Sequence, residues 1–529
     1  MTQTAWPEGQ LAPSLQAACR RWGDQPAITF AGRTMSYAEL GRGVTRLAAA
    51  YRRLGIGRGD RVVCQLPNSP EHLIAVNAAW AVGAIHVGTD TDLTGRELAS
   101  LAERTEAAAL LYRLRAESPD PLAPVRAVRE AHPATRLILS GVGDDEEHHQ
   151  LPDLLAGPDE LEDWSPPHER DETAHLLLTS GTTGTPKAVM ETLPACWAKM
   201  QFFADAFRPT PADVHLLYLP VAHVFGMRLA MLALLSGGRL VLAERFSPRG
   251  ALQLVTDEKV TVLPGMPAHF TLLLDALDRR RHRVDSLRWG ISAASTLPRP
   301  LVEQVYEQLQ VQLLYVYGCS ENFTVLTTDR DEICRGSVGR IVFRGPDGTP
   351  PDGTIAVLDP EGNQRLPPGT VGELAFGAAH PVRYWKAPDA ATDGWYRTGD
   401  LGRIDEDGLV YVVGRLKELV NRGGLHVSPS EVETAVSAHP AVADSAVVGT
   451  PDPVLGEAIC ACVVPAGEGV PDLAELRSFL APTLARHKLP DELCMVDSIP
   501  RTKIGKVDRA ALTAVVVDDG RPRQRWRAP

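Results

Sequence analysis

The sequence predicts an α/β protein in which mostly parallel sheets fill the first half and smaller, antiparallel units follow. Short apolar strands alternate with helices through that half, as at Arg61–Leu66, Gly238–Ala243 and Gln312–Tyr317, and this alternation is typical of parallel sheets. After about residue 330 the apolar segments are instead joined by glycine-rich turns, which indicates antiparallel pairing. A third change follows Gly414, because Ser428 begins a new helical segment and predicts a separate C-terminal unit.

The helix boundaries of the first half follow from capping residues. Ser36 and Glu39 have the spacing of a capping box, and Ser69 before a proline begins a second helix that Gly83 ends. The apolar segment Lys259–Leu263 predicts a strand. Together these elements predict a large N-terminal α/β region.

The antiparallel strands of the second half fall into two groups. The first group, which indicates a small antiparallel β-barrel or sheet, is predicted at Thr354–Leu358, Gly372–Phe376, Leu401–Ile404 and Leu409–Val413. The second group, at Ala443–Gly449 and Ala458–Pro465, belongs to the C-terminal unit. We therefore place a domain boundary near Lys417.

The composition excludes several classes of protein. Of the 529 residues 44% are hydrophobic and 23% charged, a globular balance, and the formal net charge of −12 argues against a general nucleic-acid binder. No segment reaches the roughly 18–20 apolar residues of a membrane span, and no signal peptide is predicted. The eight cysteines show no CxxC spacing and fit free thiols of a reducing cytosol better than zinc ligands or disulfides. We expect a cytoplasmic protein with small-molecule partners, and its oligomeric state stays open.

A segment rich in hydroxyl residues and glycine carries the sharpest chemical signal. It spans Thr179–Lys187 (TSGTTGTPK) and directly follows the apolar strand His175–Leu178. Small residues let backbone N–H groups close around phosphate oxygens, hydroxyls add donors, and Lys187 supplies positive charge. The segment lacks the Walker A pattern, because Pro186 precedes the lysine and no serine or threonine follows it. It predicts a phosphate-binding loop, although a plain flexible loop has the same composition.

Further motifs follow this loop along the chain. They are PVAH at Pro220–His223, YGCSE at Tyr317–Glu321, YRTGD at Tyr396–Asp400, GRLKELVNRGGLHVSPSEVE at Gly414–Glu433 and PRTKIGKVD at Pro500–Asp508. With the loop, they make the chain resemble the adenylate-forming superfamily of acyl- and aryl-CoA ligases, peptide-synthetase adenylation domains and luciferases. The resemblance covers nearly the whole chain and favours an acyl- or aryl-CoA ligase of bacterial secondary metabolism or of the fatty-acid type.

The resemblance implies a fold and a division into domains. It implies an α/β fold with a large N-terminal domain of two mostly parallel α/β subdomains plus a small antiparallel β-barrel, followed by a small mobile α+β C-terminal domain. The N-terminal AMP-binding domain would span residues 1–416, with the barrel at about 331–413, and the C-terminal domain residues 417–529 with its hinge at Lys417. In this superfamily the C-terminal domain first presents its terminal lysine for adenylation and then another face for thiol attack.

The resemblance also implies which residues handle ATP and Mg²⁺. The nucleotide would be held by Thr179, Ser180, Gly181, Thr182, Thr183, Gly184, Ala293, Ala294, Ser295, Tyr317, Gly318, Cys319, Ser320, Asp400 and Arg415. Tyr317 would pack on adenine and Asp400 would accept hydrogen bonds from the ribose. Lys187 and Lys506 would act on the phosphates, and Glu321 would position Mg²⁺. Because a carboxylate must attack the phosphorus of a polyanion, catalysis rests on charge neutralisation and positioning.

A further set of residues is implied for the acid and for CoA. The acyl pocket would comprise His223, Val224, Met227, Ala293, Ala294, Cys319 and Phe323, and the CoA channel His223, Gly423 and Gly424. His223 would be a gate between pocket and channel, with a core histidine as the alternative. The pocket is apolar and has no acidic residue to pair with an ammonium, so an amino acid is disfavoured. Val224 stands where enzymes for 2-hydroxy aryl acids carry asparagine, and aryl, medium-chain and polycyclic acids stay open.

Departures from the family pattern open alternatives to a complete CoA ligase. The segment Ser292–Leu297 reads SAASTL where CoA ligases commonly read SGAAPL, and Arg383 replaces a usual glycine. If these changes impair nucleotide handling, the chain would only thioesterify an adenylate that a partner adenylating enzyme supplies. A second alternative is a freestanding aryl-acid enzyme that loads a separate carrier protein. The NRGG sequence of residues 421–424 also occurs in enzymes of that kind. A silent binding module with this fold is disfavoured by the retained charged residues of the motifs.

Overall fold

The computed structural model contains two large sheets, a small antiparallel sheet and a C-terminal sheet with its own helices. It describes residues 11–115, 117–141, 148–161, 163–164, 172–179, 187–293, 297–321, 323–341, 355–377, 382–387, 394–423, 425–467, 471–502, 506–518 and 521–526. No helix within these ranges is both long and apolar enough to cross a membrane.

The helices alternate with strands through the first half and become sparse after residue 334. The α-helices are α1 (Leu11–Trp22), α2 (Tyr37–Arg53), α3 (Pro70–Ala81), α4 (Gly95–Thr105), α5 (Ala123–Ala131), α6 (Leu151–Leu155), α7 (Leu193–Phe207), α8 (Val224–Leu235), α9 (Pro248–Glu258), α10 (Pro267–Ala276), α11 (Arg299–Gln304), α12 (Arg330–Cys334), α13 (Pro429–Val436), α14 (Leu473–Leu480) and α15 (Arg509–Thr513). Val305–Leu309 and Ala514–Asp518 are π-helical, and Leu416–Glu418 and Arg486–Lys488 are 3₁₀ turns.

The strands are short in the first half and longest in the C-terminal unit. They are β1 (Pro26–Phe30), β2 (Arg33–Ser36), β3 (Arg61–Gln65), β4 (Ile85–Gly88), β5 (Ala107–Arg113), β6 (Arg136–Ser140), β7 (His149–Gln150), β8 (Thr173–Thr179), β9 (Lys187–Thr192), β10 (Val214–Leu217), β11 (Arg239–Leu242), β12 (Val262–Gly265), β13 (Trp289–Ala293), β14 (Gln312–Gly318), β15 (Phe323–Thr327), β16 (Arg340–Ile341), β17 (Ile355–Leu358), β18 (Gly372–Gly377), β19 (Arg383–Tyr384), β20 (Trp395–Ile404), β21 (Val410–Arg415), β22 (Val420–Arg422), β23 (Leu425–Val427), β24 (Val442–Asp452), β25 (Gly456–Pro465), β26 (Glu492–Met495) and β27 (Arg523–Arg525).

Two mostly parallel sheets form the N-terminal part, as predicted. Within the described residues the nine-stranded sheet has the order β16-β15-β14-β13-β12-β10-β11-β1-β2, and the eight-stranded sheet β19-β9-β8-β4-β3-β5-β6-β7. The strands from β14 to β1, and those from β8 to β7, pair in parallel. Antiparallel strands lie only at the edges. Helices cover the sheets, and one large apolar core extends between the two.

The small sheets confirm the antiparallel character predicted for the second half. Strands β17-β18-β20-β21 form a four-stranded sheet in which every neighbour pair is antiparallel. Within the described residues its hydrogen bonds leave it open rather than closed into a barrel. The C-terminal unit has the order β23-β22-β25-β26-β27 with β24 on β25, and its helices pack on a separate apolar core.

The predicted capping residues are confirmed, but two strand boundaries are wrong. Ser36 and Glu39 make the reciprocal hydrogen bonds of a capping box on α2, and Ser69 caps α3. The strand predicted at Lys259–Leu263 begins only at Val262, because Lys259 ends α9 in the left-handed region at φ 57°. The strand predicted at Leu401–Ile404 begins earlier, at Trp395, because the YRTGD motif is itself part of β20.

Candidate active site

A cleft of about 760 Å³ separates the N-terminal part from the C-terminal unit. Tyr317 and Asp400 line it from the N-terminal side, and Lys506 and Arg509 from the C-terminal side. Tyr317 lies near the carboxyl end of β14, which is where ligands bind in open α/β sheets. With Arg415, which also lines the cleft, residues from four distant motifs share one cavity.

Asp400 is the centre of the hydrogen bonds on the N-terminal side. Its Oδ2 accepts a hydrogen bond of 2.9 Å from the Tyr317 hydroxyl, and its Oδ1 accepts one of 2.6 Å from Arg415 Nε. Antiparallel pairing of β20 with β21 places Asp400 directly opposite Arg415. Burial, and after it the Asp400 charge, raises the pKa of Tyr317 well above its usual value. Both carboxylate oxygens are thus held in place, and each keeps a lone pair for a further donor.

Lys506 reaches this cluster from the C-terminal unit. Burial and the positive charge of Arg415 lower its pKa, while Asp400 and Glu418 act in the opposite direction. Thr502 N donates a hydrogen bond of 2.7 Å to the Lys506 carbonyl. The ammonium of Lys506 therefore lies in a partly desolvated cavity beside a second cation, an arrangement suited to a polyanion.

Glu321 is oriented by residues of the eight-stranded sheet and of α7. The Tyr384 hydroxyl donates to Glu321 Oε1 at 2.9 Å, and Lys199 Nζ donates to the Glu321 carbonyl at 3.1 Å. Lys187 Nζ lies 4.9 Å from the centre of the Tyr384 ring, within the range of a cation–π contact. Tyr384 therefore contacts both Glu321, the predicted Mg²⁺ ligand, and Lys187, the lysine that ends the predicted phosphate loop.

A buried cluster of charged side chains, Glu191, Lys199 and Arg228, contacts the segment that carries Glu321. Glu191 accepts a hydrogen bond of 2.9 Å from Lys199 and pairs with Arg228, whose side chain is fully buried. Burial alone would raise the pKa of Glu191, but the charges of Arg228 and Lys199 lower it to about 2. Because Lys199 also holds the Glu321 carbonyl, the cluster fixes the loop that carries Glu321.

His223 lies at the start of α8 and contacts a residue that the sequence did not single out. Its Nε2 lies 3.1 Å from Asp90 Oδ1, and because a carboxylate only accepts, Nε2 carries the proton and donates. The contact depends on a close backbone approach, since a Cβ on Gly88 would lie 2.7 Å from the Ala222 carbonyl oxygen. Asp90 could have been predicted as a site residue, because it follows the carboxyl end of β4 in a parallel sheet, where ligands bind.

The predicted acyl-pocket residues pack against the same apolar core. Met227 is completely buried, whereas Val224, Ala293 and Cys319 are partly buried against that core. Ala293 ends β13 and pairs in regular parallel register with Val316. The methyl group that replaces the usual glycine is thus accommodated without a break in the strand.

The predicted channel glycine lies on another surface of the C-terminal unit. Gly423 adopts φ +60° in the turn between β22 and β23, and it is not among the described residues that line the cleft. Near it, Leu425 and Val454 are exposed at 50% and 86%. Lys417, the predicted hinge, lies in the 3₁₀ turn between β21 and β22.

Several predicted site residues lie outside the described part of the chain. These are Ser180, Gly181, Thr182, Thr183, Gly184, Ala294, Ser295 and Gly424, and only the backbone is described for Thr179 and Phe323. The flanking strands of the loop are described: β8 pairs with β9 so that Thr179 lies opposite Lys187. Gly318 ends β14, and Ser320 follows it at partial burial.

Comparison with known proteins identifies the family. Residues 15–383 match the AMP-binding enzymes, and residues 431–506 match the C-terminal domain of AMP-binding enzymes. The chain is 32% identical to the 2,3-dihydroxybenzoate-AMP ligase of Bacillus subtilis, over 97% of this chain and 94% of that protein. It is 33% identical to the 2-hydroxy-7-methoxy-5-methyl-1-naphthoate–CoA ligase of Streptomyces carzinostaticus, over 96% of this chain and 93% of that protein. The structure of ATP-bound MatB from Rhodopseudomonas palustris is similar with a TM-score of 0.82 at 28% identity, covering 96% of this chain and 99% of that one.

Proposed function

The chain belongs to the AMP-binding enzymes and is an adenylate-forming acid ligase, and we propose that it is an acyl-CoA ligase for a hydrophobic carboxylic acid. It would form acyl-AMP and pyrophosphate from the acid and ATP, and then transfer the acyl group to the thiol of CoA. The observation that carries this proposal is the meeting of Lys506 with Asp400 and Arg415 in one cleft.

For the first half-reaction we assign nucleotide binding to Asp400 together with Tyr317 and Arg415. Asp400 keeps lone pairs for the ribose hydroxyls while Tyr317 and Arg415 hold it. Lys506 supplies a positive charge that water does not screen fully, because its side chain is largely desolvated. The acid oxygen attacks the α-phosphorus, the bond to pyrophosphate breaks, and the lysine stabilises the charge that develops.

The residues around Glu321 fit a Mg²⁺ ion. Carboxylate oxygens are preferred Mg²⁺ ligands. Glu321 presents a partly exposed carboxylate, whose Oε1 accepts a hydrogen bond of 2.9 Å from the Tyr384 hydroxyl. The ion, when bound, neutralises phosphate charge. The protein's part is to hold Glu321 through Tyr384 and Lys199 so that the carboxylate needs no reorganisation.

For the second half-reaction we assign the thiol proton to the Asp90–His223 pair. With Nε2–H donating to Asp90, His223 Nδ1 carries the lone pair and can take the proton of the attacking thiol. The sulfur–carbon bond forms, the bond between the acyl carbon and the phosphate oxygen breaks, and AMP leaves with the electron pair. This assignment gives His223 a chemical role in addition to a gating role.

The surroundings of the acyl group support a hydrophobic acid. Val224, Met227 and Cys319 belong to or pack against the apolar core, and no acidic residue follows His223 on the first turn of α8. A buried ammonium would lack a partner there and would cost far more than the roughly 2–7 kcal/mol of an unpaired neutral polar group. Aryl, medium-chain and polycyclic acids all meet this requirement.

Two alternatives differ in the half-reactions they retain. A chain that only thioesterifies a supplied adenylate would need a damaged nucleotide site, and the regular strand at Ala293 gives no support for such damage. A carrier protein as the acceptor is favoured by one observation, since the chain is 31% identical to the fatty acid–[acyl-carrier-protein] ligase ScoC of Streptomyces coeruleorubidus, over 92% of this chain and 92% of that protein.

The experiment is a panel of hydrophobic acids with ATP and Mg²⁺, in which pyrophosphate and acyl-CoA are measured separately. We expect one class of acid to release pyrophosphate and to yield acyl-CoA in equal amounts. Pyrophosphate without acyl-CoA would reject CoA as acceptor and favour a carrier protein. Acyl-CoA from a supplied adenylate, without pyrophosphate release for any acid, would show that adenylation is lost.

A further inference from the structure

A group of polar side chains is buried in the eight-stranded sheet and α3, apart from the cleft. Cys64, His72 and His86 have no exposed surface, and His175 is 1% exposed. None of the four is among the residues that line the cleft. Because all four are enclosed by the protein, each polar atom depends on a partner within the protein.

The register of the sheet places three of these side chains on one face. His86 on β4 pairs with His175 on β8 and with Val62 on β3. Cys64 lies two residues after Val62 on the same strand, and residues two apart point to the same face. His72 on α3 approaches from the helix layer, with its ring centre 5.7 Å from that of His86.

The hydrogen bonds determine which ring nitrogens are available. His72 Nδ1 lies 3.3 Å from the Pro67 carbonyl, which only accepts, so Nδ1 carries the proton and Nε2 a lone pair. His86 Nδ1 lies 3.4 Å from His175 Nε2. If His86 donates there, its Nε2 also carries a lone pair. Within the described residues neither Nε2 has a hydrogen-bond partner, although both are buried.

The three side chains lie close enough together to share one ion. One ligand atom from each of Cys64, His72 and His86 lies within 4.8 Å of the others. An unsatisfied buried acceptor costs about 1–3 kcal/mol, so two unsatisfied imidazole nitrogens in residues that lie close to a thiol indicate a missing common partner.

We propose that Cys64, His72 and His86 form a buried structural site for a thiophilic d¹⁰ cation, Cu⁺ or Zn²⁺. A thiolate with two neutral imidazoles is a ligand set that both ions accept. Each imidazole has its second nitrogen engaged, one by the Pro67 carbonyl and one by His175, as is usual for metal-bound histidines. On binding, the metal–sulfur bond replaces the S–H bond of Cys64, and the proton leaves to solvent during folding.

Charge distinguishes the two ions. Cu⁺ with one thiolate is neutral, whereas Zn²⁺ would leave one positive charge in a dry core, which is costly. The charge balance therefore favours Cu⁺. The sequence spacing gave no sign of the site, because Cys64, His72 and His86 meet only through the sheet register and the crossing helix.

The test uses the full-length protein refolded with Cu⁺ under anaerobic conditions, with Zn²⁺, with Co²⁺, or without metal, followed by desalting. We expect one bound ion per chain by elemental analysis, a thiolate-to-cobalt charge-transfer band in the Co²⁺ sample, and a higher melting temperature with metal than without. The ion that stays bound after desalting, Cu⁺ or Zn²⁺, is identified as the ion of the site.

Two variants of the site and two controls make the test specific. Cys64→Ser and His72→Phe should reduce the bound metal at least about tenfold. Cys196→Ser and His215→Gln, which alter a buried thiol and a buried imidazole elsewhere, should retain it. If the site variants do not fold, the Co²⁺ spectrum of the wild-type protein tests the proposal. A thiolate-to-cobalt charge-transfer band supports it, and the lack of that band contradicts it. Wild-type protein that retains no metal in any sample, or retention by Cys64→Ser equal to wild type, would overturn the proposal.

Discussion

Two surfaces of the C-terminal unit differ in what they face. The Lys506 surface lines the cleft together with Asp400 and Arg415. The Gly423 surface, with Leu425 and Val454 nearby, is turned to solvent. One rigid unit cannot present both surfaces to the same acyl-phosphate at once. We propose that the two half-reactions use two placements of this unit, and that the placement in the structure, with Lys506 in the cleft, serves adenylation.

Removal of the lysine should have the largest effect and should act on one half-reaction only. Lys506→Ala removes a preorganised charge and should slow acid-dependent pyrophosphate release by roughly 10²–10³. Single-turnover measurement of pyrophosphate checks this. Lys488→Ala, an exchange in the same unit at a residue paired with Glu431 outside the cleft, is the control and should leave the rate unchanged.

Disruption of the Asp90–His223 pair should affect the opposite half-reaction. Asp90→Asn keeps the shape but removes the carboxylate that accepts the Nε2 proton of His223, so acyl transfer to CoA from a supplied adenylate should fall about 10- to 100-fold. Pyrophosphate release should not change. An unchanged rate of acyl transfer would show that the pair has no part in proton transfer.

A side chain on the solvent-facing surface should also slow the thiol step alone. Gly423→Val places a β-branched residue at φ +60° and in the proposed channel, and should lower thioesterification about tenfold. Gly456→Val, in the neighbouring turn at φ +76°, imposes similar strain outside the proposed channel and serves as the control. Equal losses in both variants would attribute the effect to strain.

The smallest effect is expected where the two units touch. A Cβ on Gly414 would lie 2.1 Å from Ser428 Oγ, so Gly414→Ala should push the units apart and reduce adenylation a few-fold, about 1 kcal/mol. Thioesterification should not fall. Ser428→Gly in the same chain removes the clash and should restore adenylation, and failure to do so would indicate damage to β21 itself.

Local signals predicted much of the fold, and ordered motifs much of the site. The capping box at Ser36 and the strand before the Thr179–Lys187 loop need only neighbours in sequence, and both are confirmed. The contacts of His223 with Asp90 and of Lys199 with Glu321 join segments 133 and 122 residues apart. No local pattern encodes such pairs, because they depend on which strands become neighbours. The boundary at Lys259 was wrong for the related reason that a helix end and a buried strand share the same apolar residues.

The most direct measurement supplies Lys506→Ala with a synthetic acyl-adenylate and CoA and follows acyl-CoA in a single turnover. If the two surfaces of the C-terminal unit serve separate half-reactions, the variant should form acyl-CoA at close to the wild-type rate while its adenylation is lost. A fall of the same roughly 10²–10³ in both half-reactions would contradict this, because Lys506 would then act in a single arrangement common to both.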